Sequence, residues 1–307
     1  MAPVTIHVDA RCLQDDAYRH RGVGHHAATM LGQSRSAFRE LGDVVLIGHI
    51  DPTCRTLDTQ HAELFDELKS TPSRMSEADW FLSLSPMTHT PVRMAPLFLG
   101  GVRRHAAIVY DFIPLEEPQR YLANAAVKRE YMTALKWLGL HDLLICISEF
   151  TANQCQEILP AMEGKTCVSG VAVRPELVGP TGPHTDAMKH FLVVGGGDTR
   201  KNAECAVVAH ARSEIFARQR IPLVIVGGYP PAMADGLRRL HYQNGGQTDL
   251  LLFSHGLSDK QLSALYRDAI LTICPSRKEG FSIPIVEANA NGCPVIVANC
   301  PAQTELI

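Results

Sequence analysis

The sequence predicts an α/β protein built from two Rossmann-like, doubly wound parallel-sheet domains. Three observations carry that prediction. Short apolar runs recur along all 307 residues, stretches of helical spacing separate them, and the pattern breaks once, between Pro175 and His190. Runs that are apolar on both faces suit strands of a parallel sheet covered by helices on each side. The separating stretches, such as 201–220 and 259–268, have the length that crossover helices between parallel neighbours require.

In the first half the runs are TIHVDA (5–10), VVLIGH (44–49), WFLSLS (80–85), AAIVYD (106–111), LLICIS (143–148) and a weaker TCVSGVAV (166–173). In the second half they are FLVVGG (191–196), PLVIVGG (222–228), LLLFSHG (250–256), LTICPS (271–276) and PVIVAN (294–299). Strand and crossover alternate through both halves, which is the doubly wound pattern occurring twice. The stretch PELVGPTGPHTDAMKH holds three prolines and two glycines and has no strong period, so the division is placed at 1–180 and 181–307. Five strands are countable in the second half, where a complete domain of this kind would add a strand and a closing helix. The second domain is therefore read as truncated at its C-terminus.

Composition bounds the function. Apolar residues make up 46%, enough for two cores, and a net charge of −3 gives no electrostatic reason for nucleic acid as a partner. Nine cysteines form no C-x-x-C pair, and several, such as Cys146 and Cys274, sit inside apolar runs. Buried free thiols in a reducing compartment fit this better than disulfides or zinc. The start, MAPVTIHVDAR, lacks the form of a secretory signal, and no apolar run reaches the length of a membrane span. A cytoplasmic protein is expected, with peripheral contact at the inner membrane face left open and the oligomeric state not legible.

The most informative segment is ICPSRKEGFSIPIVEANANGCPVIVAN. Pro284 suits the first turn of a helix that runs to about Asn291, and Gly292 suits a left-handed stop. Glu279 then lies on the loop at the carboxyl end of a strand, where open α/β sheets bind ligands. Backbone amides from Gly280 to Ile283 and the helix dipole favour an anionic group there. Glu287, a turn inside the helix, has the chemistry to accept two hydroxyl hydrogens of a ribose. Earlier, FLVVGGGDTRKNAE ends a strand in three glycines and places Arg200, Lys201 and Asn202 at a helix start. Cations are disfavoured at a helix start, so the pair points to a ligand such as a diphosphate leaving group.

These residues resemble the signature of the retaining group 1 glycosyltransferases, glycosyltransferase family 4, of GT-B fold. The glutamates stand as Glu279-x7-Glu287, with Gly280-Phe281 after the first and Pro284 between; Ser282 stands where the family usually has glycine. The resemblance implies that Glu279 contacts the donor sugar, Glu287 the ribose, and the amides of Gly280, Phe281 and Ser282 the sugar and diphosphate. The glycine run with Arg200-Lys201-Asn202 resembles the family's Gly-x-x-x-x-Arg-Lys-Asn, which makes Arg200 and Lys201 the diphosphate contacts and sets Gly196 beside the donor. PLVIVGGYPP and LLLFSHGLSDKQLSALYRDA match in order and spacing, with Gly227, Gly228, His255 and Leu257 as base or ribose neighbours or as plain strand–turn packing.

In the first half, Arg21-Gly22-Val23-Gly24 opens a helix after a long loop that follows Asp9. A glycine pair at a helix start is a ligand cradle or a turn requirement. The pattern resembles the bacterial polysaccharide branch of the family, which implies that Gly22 and Gly24 lie against diphosphate or acceptor. AIVYDFIPLEEPQRY resembles the family's His-Asp-x-x-Pro step, with Tyr110 in place of the histidine. Asp111 is the candidate acceptor-side base or orienter, or a local cap. LLICISEFTANQ resembles the strand–Ser–Glu step, with Ser148 as helix cap and Glu149 facing the cleft. Histidines 25, 26, 89, 105, 184, 190 and 241 show no metal spacing, and no metal is expected.

The implied reaction takes a nucleotide diphosphate-sugar as substrate and needs no cofactor. Residues 1–180 would hold a glycan or lipid-linked acceptor and 181–307 the donor, in surface polysaccharide synthesis, with mannose or a deoxysugar transferred. Two other readings stand beside it: a non-catalytic nucleotide-sugar-binding module of the same fold, and another enzyme of this architecture such as a nucleotide-sugar epimerase.

Overall fold

The computed structural model describes residues 4–71, 76–99, 104–179 and 189–307. By its contacts the chain forms two compact units, Met1–Ala172 and Val173–Ile307. The division expected between 180 and 181 lies outside the described residues. The short turn Pro175–Leu177 belongs to the second unit, because Leu177 is buried and its carbonyl accepts a 2.7 Å hydrogen bond from Asn291 Nδ2.

The first unit holds β1 (Val4–Asp9), α1 (Gly22–Leu41), β2 (Val44–His49), β3 (Glu67–Lys69), β4 (Trp80–Ser83) and β5 (His105–Val109). It continues with α2 (Ala125–Leu138), β6 (Leu143–Cys146), α3 (Glu149–Ile158) and β7 (Thr166–Val168). The strands form one parallel sheet of order β3-β2-β1-β4-β5-β6-β7. Central β5 is buried at every position, as its unbroken apolar run requires. Strand β3 is not predicted by the sequence: ELK is three residues long, polar and at the sheet edge, so it carries no apolar run. Helix α2 is capped by Asn124, which accepts from the amides of Ala126 and Val127, and α3 by Ser148, as expected.

The second unit holds β8 (His190–Val194), α4 (Ala203–Ala211), β9 (Leu223–Val226), α5 (Pro231–Gln243) and β10 (Leu251–Ser254). It ends with α6 (Asp259–Asp268), β11 (Ala269–Cys274), α7 (Ile283–Ala290) and β12 (Val295–Val297). Its five parallel strands take the order β10-β9-β8-β11-β12. Ser258 and Gln261 form a capping box on α6, and Gly292 has φ 69 after α7, the left-handed stop its sequence predicts.

Both sheets therefore wind outward in two directions from their first strand, reversing between β1 and β4 in one unit and between β8 and β11 in the other. At such a reversal neighbouring loops diverge to opposite faces and leave a crevice at the carboxyl ends of the strands. All nine cysteines are free thiols; Cys12, Cys146, Cys155, Cys274, Cys293 and Cys300 are buried. Among the described residues no helix is long and apolar enough to cross a membrane.

Candidate active site

The reversal point of the second sheet brings the loop after β8 against the loop after β11. Three glycines end β8, and Asp198 then caps a 3-10 turn, Thr199–Lys201. Asn202 follows in the left-handed conformation at φ 54, and its amide donates to the Pro275 carbonyl at 3.1 Å. Arg200 and Lys201 are thus on a turn that precedes α4, not on the helix itself as the sequence predicts. The left-handed Asn202 separates the two segments.

Glu279, on the loop after β11, is 4% exposed and holds both cations. Its Oε1 lies 2.5 Å from Lys201 Nζ and its Oε2 2.6 Å from Arg200 Nη1. Arg200 Nη1 also donates to the Lys278 carbonyl at 2.9 Å, and Arg200 Nε to Asp198 at 3.2 Å. Burial alone would raise the Glu279 carboxyl, but Lys201 and Arg200, with a hydrogen bond from Ser276, hold it below the ordinary range. The cations keep 17% and 21% of their side chains exposed, so solvent reaches the cluster through them.

Gly280 is buried, Phe281 half-buried, and Ser282 2% exposed at the N-cap of α7. The Ser282 hydroxyl gives α7 no cap; it accepts from Gln303 Nε2 at 3.2 Å. Glu287 is 5% exposed and already engaged: Tyr266 donates to Oε2 at 2.8 Å, and Arg174 Nη2 lies 3.5 Å from Oε1. Burial raises the Glu287 carboxyl despite the Tyr266 bond and the Arg174 charge. Arg174 is itself held by Asp259 at 2.6 Å. Sequence reasoning assigned no role to Tyr266, Arg174, Asp198 or Ser276. Tyr266 stood inside the matched LYRDA segment, and Asp198 two residues before Arg200 is a recognisable turn cap; Arg174 had no local signal.

The glycines divide. Gly196 is exposed, and the nearest atom to an added Cβ would be the Gly228 carbonyl oxygen at 3.8 Å. Gly227, at φ 147, passes so close to Gly195 that a Cβ would meet its oxygen at 2.0 Å. Gly228 and His255 are exposed, and Leu257 packs on the core under α6.

In the first unit Gly22 begins α1 and is exposed, while Gly24 is buried. A Cβ on Gly24 would lie 2.4 Å from the Arg19 carbonyl oxygen, so its glycine is explained by the chain's own close approach. Asp111 follows β5 and accepts from the Ile113 amide at 3.1 Å, the local cap its position allows. Glu149 is exposed at the start of α3. Among the described histidines no cluster with metal-ligand geometry occurs; His184 lies outside the described residues.

Residues 183–307 match the glycosyl transferases group 1 family. The Escherichia coli serotype-specific mannosyltransferase WbdA is 26% identical over 210 residues, covering 65% of this chain and 26% of its own length. The chain thus spans about a quarter of that relative. Among solved structures, Anabaena HepE in complex with UDP and glucose superposes with a TM-score of 0.70 at 14% identity, covering 99% of this chain and 83% of HepE. WaaG, a glycosyltransferase involved in lipopolysaccharide biosynthesis, gives 0.63 at 16% identity over 99% of this chain and 83% of its own. These likenesses show the fold, the paired Rossmann-like units of GT-B glycosyltransferases. Residues 183–307, which contain the Glu279 and Glu287 helix start and the Arg200-Lys201 turn, are thus similar to the group 1 glycosyl transferases.

Proposed function

We propose that the protein transfers a sugar from a nucleotide diphosphate-sugar to a hydroxyl of a glycan or lipid-linked acceptor, with retention at the anomeric carbon, in surface polysaccharide synthesis. The observation that carries this reading is the convergence of Arg200 and Lys201 on Glu279 at the reversal point of the second sheet. Two partly exposed cations at that place suit the two phosphates of a departing nucleoside diphosphate. WbdA is a mannosyltransferase and WaaG serves lipopolysaccharide biosynthesis, which favours mannose and a surface glycan.

In the step, the bond between the anomeric carbon and the diphosphate oxygen breaks as the acceptor oxygen bonds to that carbon. The acceptor proton passes to the departing diphosphate. Arg200, Lys201 and the amides at the start of α7 stabilise the charge that develops on the leaving group. Glu279 positions both cations. Glu287, oriented by Tyr266, receives the ribose hydroxyls. No metal or cofactor is required by this chemistry.

The test is donor-dependent release of nucleoside diphosphate. Lys201→Ala and Glu279→Ala each lower turnover by about a hundredfold or more, the usual loss for one charge-stabilising group. Wild-type turnover in both variants sinks the assignment. The low exposure of Glu279 and Glu287, 4% and 5%, favours as a second reading a binding module without turnover. Calorimetric binding of a nucleoside diphosphate with no release from any nucleotide sugar would select it.

A further inference from the structure

The first unit carries a cavity of about 440 Å³ at its own reversal point, within the range of small-ligand sites. The loops after β1, β4 and β5 and one face of α2 line it. Its walls are apolar and aromatic, with Leu122 and Val127 beside Tyr18 and Tyr121. Tyr110 adds its ring, since its hydroxyl is spent on the Val23 carbonyl at 3.2 Å and on His26. Besides the His89 ring, the polar groups among these walls are carboxylates and hydroxyls, including Asp111, Glu130, Ser85, Thr88 and Tyr131.

Two features narrow what fits. Tyr131 is 8% exposed, and its buried hydroxyl has no hydrogen-bond partner among the described residues. A buried hydroxyl left without a partner is costly, and a ligand oxygen would satisfy it. Second, no lysine or arginine is among the described lining residues. Of the neighbouring cations, Arg11 is 3% exposed and closed by Asp9 through bonds of 2.7 and 2.8 Å, Arg120 lies over the Tyr121 ring and pairs with Glu117, and Arg21 acts on Tyr18 from an exposed position. His89 lines the wall with its pKa lowered by burial and by Arg11, so it is neutral at pH 7. Its Nε2 faces Asp15 at 3.2 Å.

We infer that this cavity holds an uncharged sugar ring and rejects phosphorylated or otherwise anionic saccharides. Ring C–H faces pack on the aromatic and aliphatic walls, and ring hydroxyls donate to Asp111 and Glu130 and meet Tyr131. An anion would enter an apolar pocket whose described lining residues include two carboxylates and no cation to offset its lost hydration. That the sugar is the terminal residue of the acceptor rests on the transferase reading; that the site selects neutral saccharides does not.

The experiment is saturation-transfer difference NMR on the full chain, without nucleotide, using methyl α-mannopyranoside and mannose 6-phosphate as probes. The neutral glycoside binds about tenfold or more tightly than the phosphate. Tyr131→Phe weakens the glycoside about three- to tenfold, the worth of one hydrogen bond. Glu130→Lys, at an exposed position, brings the two probes within about threefold. Equal binding of both probes, no transfer to either, or an unchanged Tyr131→Phe affinity overturns the inference. A thermal shift with a nucleoside diphosphate in the same samples reads the second unit separately. A shift retained beside a negative cavity result sinks this inference alone, whereas its absence sinks the transferase reading.

Discussion

Arg11 follows β1 as Arg200 and Lys201 follow β8, and in each unit the cation next to the sheet's reversal finds a carboxylate. Arg11 and Asp9 are 3% and 5% exposed and close on each other in a two-bond fork. Arg200 and Lys201 share the carboxylate of Glu279, Arg200 also reaches Asp198 at 3.2 Å, and the two cations keep 17% and 21% of their side chains exposed. The topology is common to both units, so topology alone does not make an anion site. What differs is the residual exposure of the cations. One pair is neutral and sealed, and the crevice beside it is left to apolar walls. The other sets two cations against two carboxylates, and its cations reach solvent.

This exposed cluster gives the largest expected effect. Glu279→Gln removes the charge that offsets two cations. Breaking one partner out of a buried ion pair costs about 3 kcal/mol at the low end. A nucleoside diphosphate supplies the missing negative charge, so the variant's melting temperature rises more on adding it than the wild type's does. Differential scanning calorimetry with and without the nucleotide measures both. If the variant loses stability but gains no extra shift, the exposed cations do not face a diphosphate, and the contrast with Asp9–Arg11 collapses.

A second effect separates what the sequence reveals from what it hides. Tyr266→Phe leaves the buried Glu287 carboxylate without its 2.8 Å donor, at a cost of about 1.5–3 kcal/mol for a bond to a charged group. Urea unfolding measures it; a loss below about 0.5 kcal/mol means that Arg174 or water suffices. Glu279, Glu287, Arg200 and Lys201 were legible because each lies in a contiguous segment whose strand, loop and helix start are set by glycines and Pro284. The Tyr266–Glu287 bond spans 21 residues and the Arg174–Glu287 contact 113, and no local period encodes either. All the apolar strands were legible, but β3 was not, because a short polar edge strand has no pattern of its own. The Gly22–Gly24 pair was visible as a motif. That Gly24 answers to the Arg19 backbone became clear only from the 2.4 Å approach.

The smallest effect per residue concerns pH. In the first unit burial lowers His26, His49 and His141 to about 4, and they are 4%, 0% and 3% exposed. In the second, burial lowers His190, His210 and His241. Each unit also has two imidazoles hydrogen-bonded ring to ring, His7 with His49 at 2.8 Å and His210 with His241 at 2.9 Å. Such a pair requires one neutral acceptor nitrogen. These histidines stay neutral in the folded state while the unfolded chain protonates them near pH 6.5. Unfolding therefore takes up protons as pH falls below 6.5, and stability present above that value drains away toward pH 4. Between pH 7.5 and 5.5 each of the three deeply shifted imidazoles removes about 1 kcal/mol. Glu287 acts in the opposite sense, since its raised pKa lets the folded second unit take up a proton first. The first unit should thus open more steeply with acid than the second. Hydrogen exchange at the two pH values, followed separately in β5 and β9, measures this, and His26→Gln should flatten only the first unit's slope. Equal slopes in the two units would mean that the imidazoles of the first are not held neutral by burial.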